Sequence, residues 1–250
     1  MKSKPAKKRL DLLLVERGLA ESVAKAQAMI LAGEIWIDET RAEKAGASVE
    51  DNSKIAVSSR AQKYASRGAI KLEGALEDFA IDPAKNICLD IGSSTGGFTD
   101  CLLQRGALRV YAVDVNVDQM AWRLQQDHRV IRIERNAREL RRQDIPDPID
   151  LVVVDVSFIS AAKVLAPASA IAKSGAHLLV LVKPQFELPK GDVGTGGIVS
   201  DSALHKKAIE KIRVAAVAND LEILGVRPSR LLGAEGNQEY FLHARKKALG

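Results

Sequence analysis

The chain has 250 residues, 46% of them hydrophobic, and a formal net charge of +5. That length buries one substantial core and leaves enough over for a small module, so one large and one small domain are expected. No apolar run approaches the roughly 20 residues of a membrane span; LVVVD and HLLVLVK have strand length. The basic start, MKSKPAKKRL, lacks a continuous apolar stretch and a cleavage-type site, so no secretory signal is expected and a soluble cytoplasmic protein is. Two cysteines, Cys88 and Cys101, and four scattered histidines offer neither a disulfide framework nor a metal-ligand spacing. Core thiols are expected, and metal chemistry is not.

In chain order, RLDLLLVERGLAESVAKAQAMILAGEIWID reads as two short helices and a strand. Leu10, Leu13 and Leu14 share a helical face and Gly18 stops the first helix. Ser22 is placed to cap a second, whose Ala26, Met29 and Ile30 point inward before Gly33 ends it. Ile35 to Ile37 and IAVSSR are short strands, and the composition then shifts at AQKYASRG. These features divide the chain into a small module over residues 1–58, a linker over 59–66 and a large domain over 67–250.

From Asn86 onward strands and helices alternate: NICLDIG, a helix from about Phe98, RVYAVDV, a helix around Met120 to Gln125, VIRIE, DLVVVDV, a helix around Lys163 to Ala172, HLLVLVK, a helix from about Ala203 to Asn219, LEILGV and EYFLHAR. Short apolar strands separated by crossovers predict an α/β fold, a mostly parallel sheet with helices on both faces. The last two strands have a loop but no helix between them, so the final strand is expected to run antiparallel. PQFELPKGDVGTGGIV follows a strand end and suits a mobile active-site loop.

LDIGSSTGGFTD, residues 89–100, is a glycine-rich turn opening a helix. Its glycines are Gly92, Gly96 and Gly97, and the second position of the dinucleotide fingerprint G-x-G-x-x-G is occupied by Ser94. A pyrophosphate is therefore disfavoured, and no G-K-[ST] follows to make a triphosphate loop. The D-x-G of Asp90 and Gly92, with Asp114 ending the next strand where it can accept ribose hydroxyls, suits a nucleoside ligand without phosphates such as S-adenosylmethionine. A purely structural turn is the alternative.

Asp155 closes LVVVD and Lys183 closes LVLVK, at the carboxyl ends of parallel strands where such sheets bind ligands. Glu239 starts the antiparallel final strand and so lies at the same edge. A lysine there is costly to bury unless paired; a snorkelling lysine beside unrelated acids is the bland alternative. Basic residues cluster at the N-terminus (Lys2, Lys4, Lys7, Lys8, Arg9), in SSRAQKYASRGAIK, which contains Arg67, and in RVIRIERNARELRR. These suit a polyanion such as RNA, or are solvated surface.

The quartet Lys71 in SRGAIKL, Asp155 in VVVDVSFIS, Lys183 in VLVKPQFE and Glu239 in GNQEYFLH resembles the K-D-K-E tetrad of FtsJ-like ribose 2′-O-methyltransferases. Together with LDIGSSTGGFTDCLLQRGA and an N-terminal segment similar to an S4 RNA-binding domain, these words resemble the TlyA family of haemolysin A-named rRNA methyltransferases over almost the whole chain. The resemblance implies a Rossmann-like class I methyltransferase sheet with a small S4-like α+β domain. It implies 2′-O-methylation of cytidine in ribosomal RNA of ribosomal subunits, with S-adenosylmethionine as methyl donor. Lys71, Asp155, Lys183 and Glu239 are then catalytic, with Lys183 as base and Asp155 orienting it. The cofactor is implied at Asp90, Gly92, Ser93, Ser94, Gly96, Gly97, Phe98 and Asp114, and RNA at Lys7, Lys8, Arg9, Ser22, Lys25 and Arg67. Departures from the pattern are Val23 where an arginine is usual after the capping serine, DET at residues 38–40 where a glycine is typical, and Tyr64 where some relatives carry tryptophan. Two other classes stay open on the residues alone: a non-catalytic RNA-binding assembly factor, and a membrane-active cytolysin, which 4% aromatic content disfavours.

Overall fold

In the computed structural model, which describes residues 7–37, 40–42, 44–57, 64–233 and 235–248, with backbone only at 40 and 41, the chain divides into two units, Met1–Arg67 and Gly68–Gly250. Lys2, Lys4, the first two residues of DET and most of the expected linker lie outside the described residues.

The first unit opens with β1 (Lys7–Arg9), which runs directly into α1 (Leu10–Glu16). Leu10, Leu13 and Leu14 are buried on one face of α1, and Gly18 leaves it at φ +67°, a conformation a side chain adopts only at a cost. Ser22 accepts a hydrogen bond from Lys25 N at 3.2 Å and so caps α2 (Val23–Leu31). Ala26, Met29 and Ile30 of α2 pack against the α1 leucines. The chain then forms β2 (Ile35–Ile37), β3 (Thr40–Arg41), β4 (Ser48–Glu50) and β5 (Ile55–Val57). β2 pairs antiparallel with β3 and β5, and β1 with β4.

The second unit begins with α3 (Gly68–Asp78), followed by β6 (Ile87–Ile91), α4 (Gly97–Gln104), β7 (Arg109–Asp114), the single turn α5 (Trp122–Gln125) and β8 (Val130–Glu134). After β9 (Ile149–Val154) come α6 (Ala162–Ile171), β10 (Ala172–Val182), the one-turn α7 (Pro184–Glu187), α8 (Ser202–Val217), β11 (Leu221–Pro228) and β12 (Tyr240–Lys246). The sheet order is β11-β12-β10-β9-β6-β7-β8. β6 to β10 are parallel, and β12 runs antiparallel to both of its neighbours. The expected α/β class, its mostly parallel sheet and its reversed last strand are all present.

Connections from β6 move toward β7, whereas those from β9 move toward β10, so right-handed crossovers place α4 and α6 on opposite faces. α3 packs on α4 and α8 on α6, completing the two helical layers. The strands between them carry the core: Leu89, Ile91, Val152, Val154, Leu178 and Val180 are all without solvent exposure. Order reverses between β6 and β9, and that switch point leaves a crevice at the carboxyl ends of both strands.

Three differences from the sequence pattern have physical causes. β10 extends back to Ala172, with a register shift before His177 that Gly175, at φ +79°, accommodates. The helix expected near Met120 is split into a 3-10 turn at Val117–Gln119 and α5. PQFELPKGDVGTGGIV contains α7 and two 3-10 turns, and Asn237 fastens its end by accepting from Val199 N and donating to Gly197 O, both at 2.8 Å. Among the described residues no helix is long and apolar enough to cross a membrane.

Candidate active site and cofactor cradle

The turn after β6 is held by main-chain bonds from Gly92 N and Ser93 N to Val113 O at 2.9 and 3.1 Å. Gly92, at φ +87°, has no room for a Cβ, which would enter the Asp155 carbonyl group. Gly96, at φ +91°, is the N-cap of α4, and a Cβ there would meet Leu124. Ser94 also adopts a left-handed conformation, φ +46°, although it carries a side chain. Its backbone N–H donates to Asp114 Oδ2 at 2.9 Å. Asp114 therefore shapes the loop as well as ending β7, and its Oδ1 accepts from Asn116 N at 3.1 Å and Gln119 Nε2 at 3.3 Å.

Asp90 is fully buried in β6 and accepts from the Thr99 hydroxyl at 2.7 Å. Burial pushes its carboxyl up to about 7, and the nearby Asp155 acts in the same direction. Its second oxygen and the Ser93 hydroxyl oxygen are buried with no hydrogen-bond partner among the described residues. Unsatisfied buried oxygens are rare and costly, and two beside one glycine turn fit a polar, cationic ligand group such as that of S-adenosylmethionine. Phe98 turns the other way, into the core, with its ring 6.1 Å from Phe241, and Gly97 is the first residue of α4.

A cleft of about 360 Å³ opens beside the turn, lined by Gly92, Ser94 and Asp114 on one side and Asp155 and Ser157 on the other. Lys183, the residue after β10, reaches into this region. Its Nζ lies 2.6 Å from Asp155 Oδ1, donates to Ser157 Oγ at 2.8 Å and stands 6.0 Å from the Phe186 ring centre. Lys71 on α3 donates to Glu239 Oε2 at 2.6 Å. β10 and β12 pair Val182 with Tyr240, and one further step of that register sets Lys183 across from Glu239. The structure thus brings the four residues of the quartet together as two shielded ion pairs on neighbouring strand ends.

Two participants carry no signal in the sequence pattern. Ser157 holds Lys183. Glu187 on α7 is buried, accepts from the Ser160 hydroxyl and from Ala161 N (2.7 Å), and is met by Lys211 at 3.1 Å. It ties the loop after Lys183 to the loop after Asp155. VSFIS and PQFE show polar residues within apolar words, and spacing alone does not say that they meet.

The RNA candidates of the first unit are placed differently. Lys7 and Lys25 are exposed. Lys8 pairs with Glu16 at 2.6 Å and Asp51 at 3.4 Å. Arg9 grips the buried Asp11 through Nη2 at 2.7 Å and Nε at 3.1 Å, holding that carboxyl well below the usual range. The Ser22 hydroxyl is spent on capping α2, and Arg67 is partly buried just before α3.

The fold is shared with solved S-adenosylmethionine-dependent methyltransferases. One such enzyme from Listeria monocytogenes shares the fold at 13% identity, with a TM-score of 0.52 over 73% of this chain and 100% of that one. The FtsJ-like methyltransferase model matches residues 64–246, and the S4 domain model matches residues 8–55. The 16S/23S rRNA (cytidine-2′-O)-methyltransferase TlyA of Mycobacterium tuberculosis is 47% identical over 241 residues, which is 95% of this chain and 89% of that protein. A hemolysin-named protein of Streptococcus thermophilus has a solved structure with a TM-score of 0.76 at 36% identity, spanning 98% of this chain and 90% of that one. The chain belongs to the FtsJ-like methyltransferases, and within them to the TlyA family.

Proposed function

We propose that this protein transfers a methyl group from S-adenosylmethionine to the ribose 2′-hydroxyl of a cytidine in ribosomal RNA, acting in the cytoplasm on ribosomal subunits. The observation that carries this reading is the shared cleft: the glycine turn and Asp114 line one side, and Asp155 and Ser157, both in contact with the Lys183 ammonium, line the other. A methyl donor seated by the first set stands next to a base held by the second.

The Asp90–Phe98 turn and Asp114 would hold S-adenosylmethionine, which would supply an electrophilic methyl group on a sulfonium that leaves as a neutral thioether. Lys183 accepts the proton of the 2′-hydroxyl and later returns it to solvent. Asp155 orients the lysine and balances its charge. Lys71, fixed by Glu239, supplies a second cation at the same sheet edge for the developing oxyanion. Alignment and exclusion of water supply the rest.

The domain of residues 67–250 performs this chemistry, and the module of residues 1–58 docks the RNA. Lys7 and Lys25 offer exposed charges, and Arg9 keeps Nη1 available for a phosphate while its other donors hold Asp11. Lys8 exchanges a surface carboxylate for phosphate at little cost. Radiolabelled methyl transfer to ribosomal subunits tests the reading: Lys183→Ala abolishes it, and undiminished transfer overturns the mechanism. Absence of S-adenosylmethionine binding by calorimetry favours an assembly factor instead.

A further inference from the structure

We propose that Ser157 is a positioning residue for Lys183, its hydroxyl and the Asp155 carboxylate together fixing the rotation of the Lys183 amine about its last side-chain bond. The inference rests on the reading of Lys183 as the base.

A primary amine that is to take a proton has two N–H bonds and one lone pair, and nothing in a lysine side chain itself fixes where the lone pair points. Here Nζ donates to Ser157 Oγ at 2.8 Å and stands 2.6 Å from Asp155 Oδ1, an ion pair outside hydrogen-bond alignment, so that this buried oxygen accepts no hydrogen bond among the described residues. The N–H bond directed at Ser157 fixes the rotation about the last side-chain bond, and the Asp155 charge draws a second N–H toward its side, which leaves the remaining tetrahedral direction to the lone pair. After the 2′-hydroxyl proton has moved to that lone pair, the same two contacts serve the ammonium without rotation. Proton capture therefore needs no reorientation of the base.

Both partners are themselves fixed. Asp155 N donates to Ile91 O at 2.9 Å, continuing the ladder between β9 and β6. Ser157 stands two residues further on, and the segment after it is tied down at Ser160 and Ala161 by Glu187, from the turn that Lys183 itself opens. The remaining carboxylate of the quartet, Glu239, is engaged by Lys71. Ser157 is exposed to the cleft and its side chain supports no core packing, so its replacement is not expected to disturb the fold.

The test compares the full-length wild type with Ser157→Ala, Ser157→Thr and Lys183→Ala in steady-state methyl transfer to isolated ribosomal subunits. S-adenosylmethionine affinity is read separately by calorimetry. Ser157→Ala is expected to lower kcat about tenfold, the effect of losing a hydrogen bond to a charged group. KM for the subunits and the cofactor Kd stay within about twofold, and Ser157→Thr recovers most of the rate. Wild-type kcat in Ser157→Ala beside an inactive Lys183→Ala overturns this inference and leaves the base assignment standing. Full activity in Lys183→Ala overturns the base assignment, and this inference with it. A loss that appears in KM or cofactor Kd, or that threonine does not rescue, assigns Ser157 to ligand binding and overturns the positioning role.

Discussion

Lys71 and Glu239, 168 residues apart in sequence, meet at 2.6 Å with side-chain exposures of 12% and 3%. The contact joins α3, which precedes the sheet, to the residue that opens the final strand. A second link supports it. Arg230, on the loop leading to Glu239, donates to Glu77 at 2.7 Å and Asp78 at 2.6 Å on the last turn of α3. Its stem passes over Gly74, where a Cβ would lie 2.8 Å from Arg230 Cδ. An ion pair this shielded recovers little of its desolvation cost, so the fold does not gain stability by keeping it in place of apolar residues. Its place at the ligand edge suits the chemistry proposed above instead.

Stability and activity should therefore separate at this pair. Glu239→Ala leaves an unpaired buried lysine and is expected to destabilise the protein by about 3 kcal/mol in urea unfolding. The double variant Lys71→Met/Glu239→Leu recovers most of that loss and stays inactive in methyl transfer. A double variant as unstable as Glu239→Ala would show that the pair is a structural necessity.

The α/β architecture was legible because apolar strands of four to six residues alternate with crossovers, and the reversed last strand followed from a loop too poor in helical pattern to cross the sheet. Helix α3 was not legible: Gly68 and Gly74 interrupt its apolar stripe, and Gly74 is there to admit Arg230, a tertiary requirement. Strands β1, β3 and β4 are two or three residues long and, unlike the equally short β2 and β5, carry at most one apolar residue, so they leave no apolar pattern to read. At the site, the ends of β9 and β10 could be read from the apolar words they close. Asp155 as the partner of Lys183 was implied by the family resemblance, whereas Ser157 and Glu187 could not be read, because they acquire their roles from the meeting of two loops. The ion pairs of Lys8 and Arg9 were hidden for the same reason, since Asp11 is buried only when α1 packs.

The cradle makes unequal demands on its small residues, and three variants resolve them. Gly92→Ala places a methyl group in the Asp155 carbonyl at φ +87° and should weaken S-adenosylmethionine binding about a hundredfold or more in calorimetry. Ser94→Gly relieves a left-handed serine and should be neutral or stabilising by up to about 1 kcal/mol, with binding nearly unchanged. Asp114→Ala removes the acceptor for Ser94 N together with the acceptor expected for the ribose, and should weaken binding at least about tenfold. Wild-type affinity in Asp114→Ala would exclude this cleft as the cofactor site.

A histidine pair away from the cleft should set the acid limit of stability. His243 on β12 lies with Nε2 2.8 Å from His177 Nδ1 and its ring 4.9 Å from Phe79. Burial, then the neighbouring His177 and Arg245, lower its pKa to about 4. The unfolded chain binds a proton near pH 6.5 that the folded protein refuses until about pH 4, so stability is full above 6.5 and is lost as pH falls between these values. With allowance for partial solvent screening, the loss by pH 4.5 is roughly 2 kcal/mol. Urea unfolding at pH 7.5, 6, 5 and 4.5 measures it. Carboxylates also titrate at the acid end, so the informative quantity is the difference from His243→Gln, which cannot take up that proton. The variant should be less stable than wild type at pH 7.5 and lose less on acidification, the two curves converging toward pH 4.5. Parallel curves would remove His243 as the cause and leave the acid sensitivity to the carboxylates.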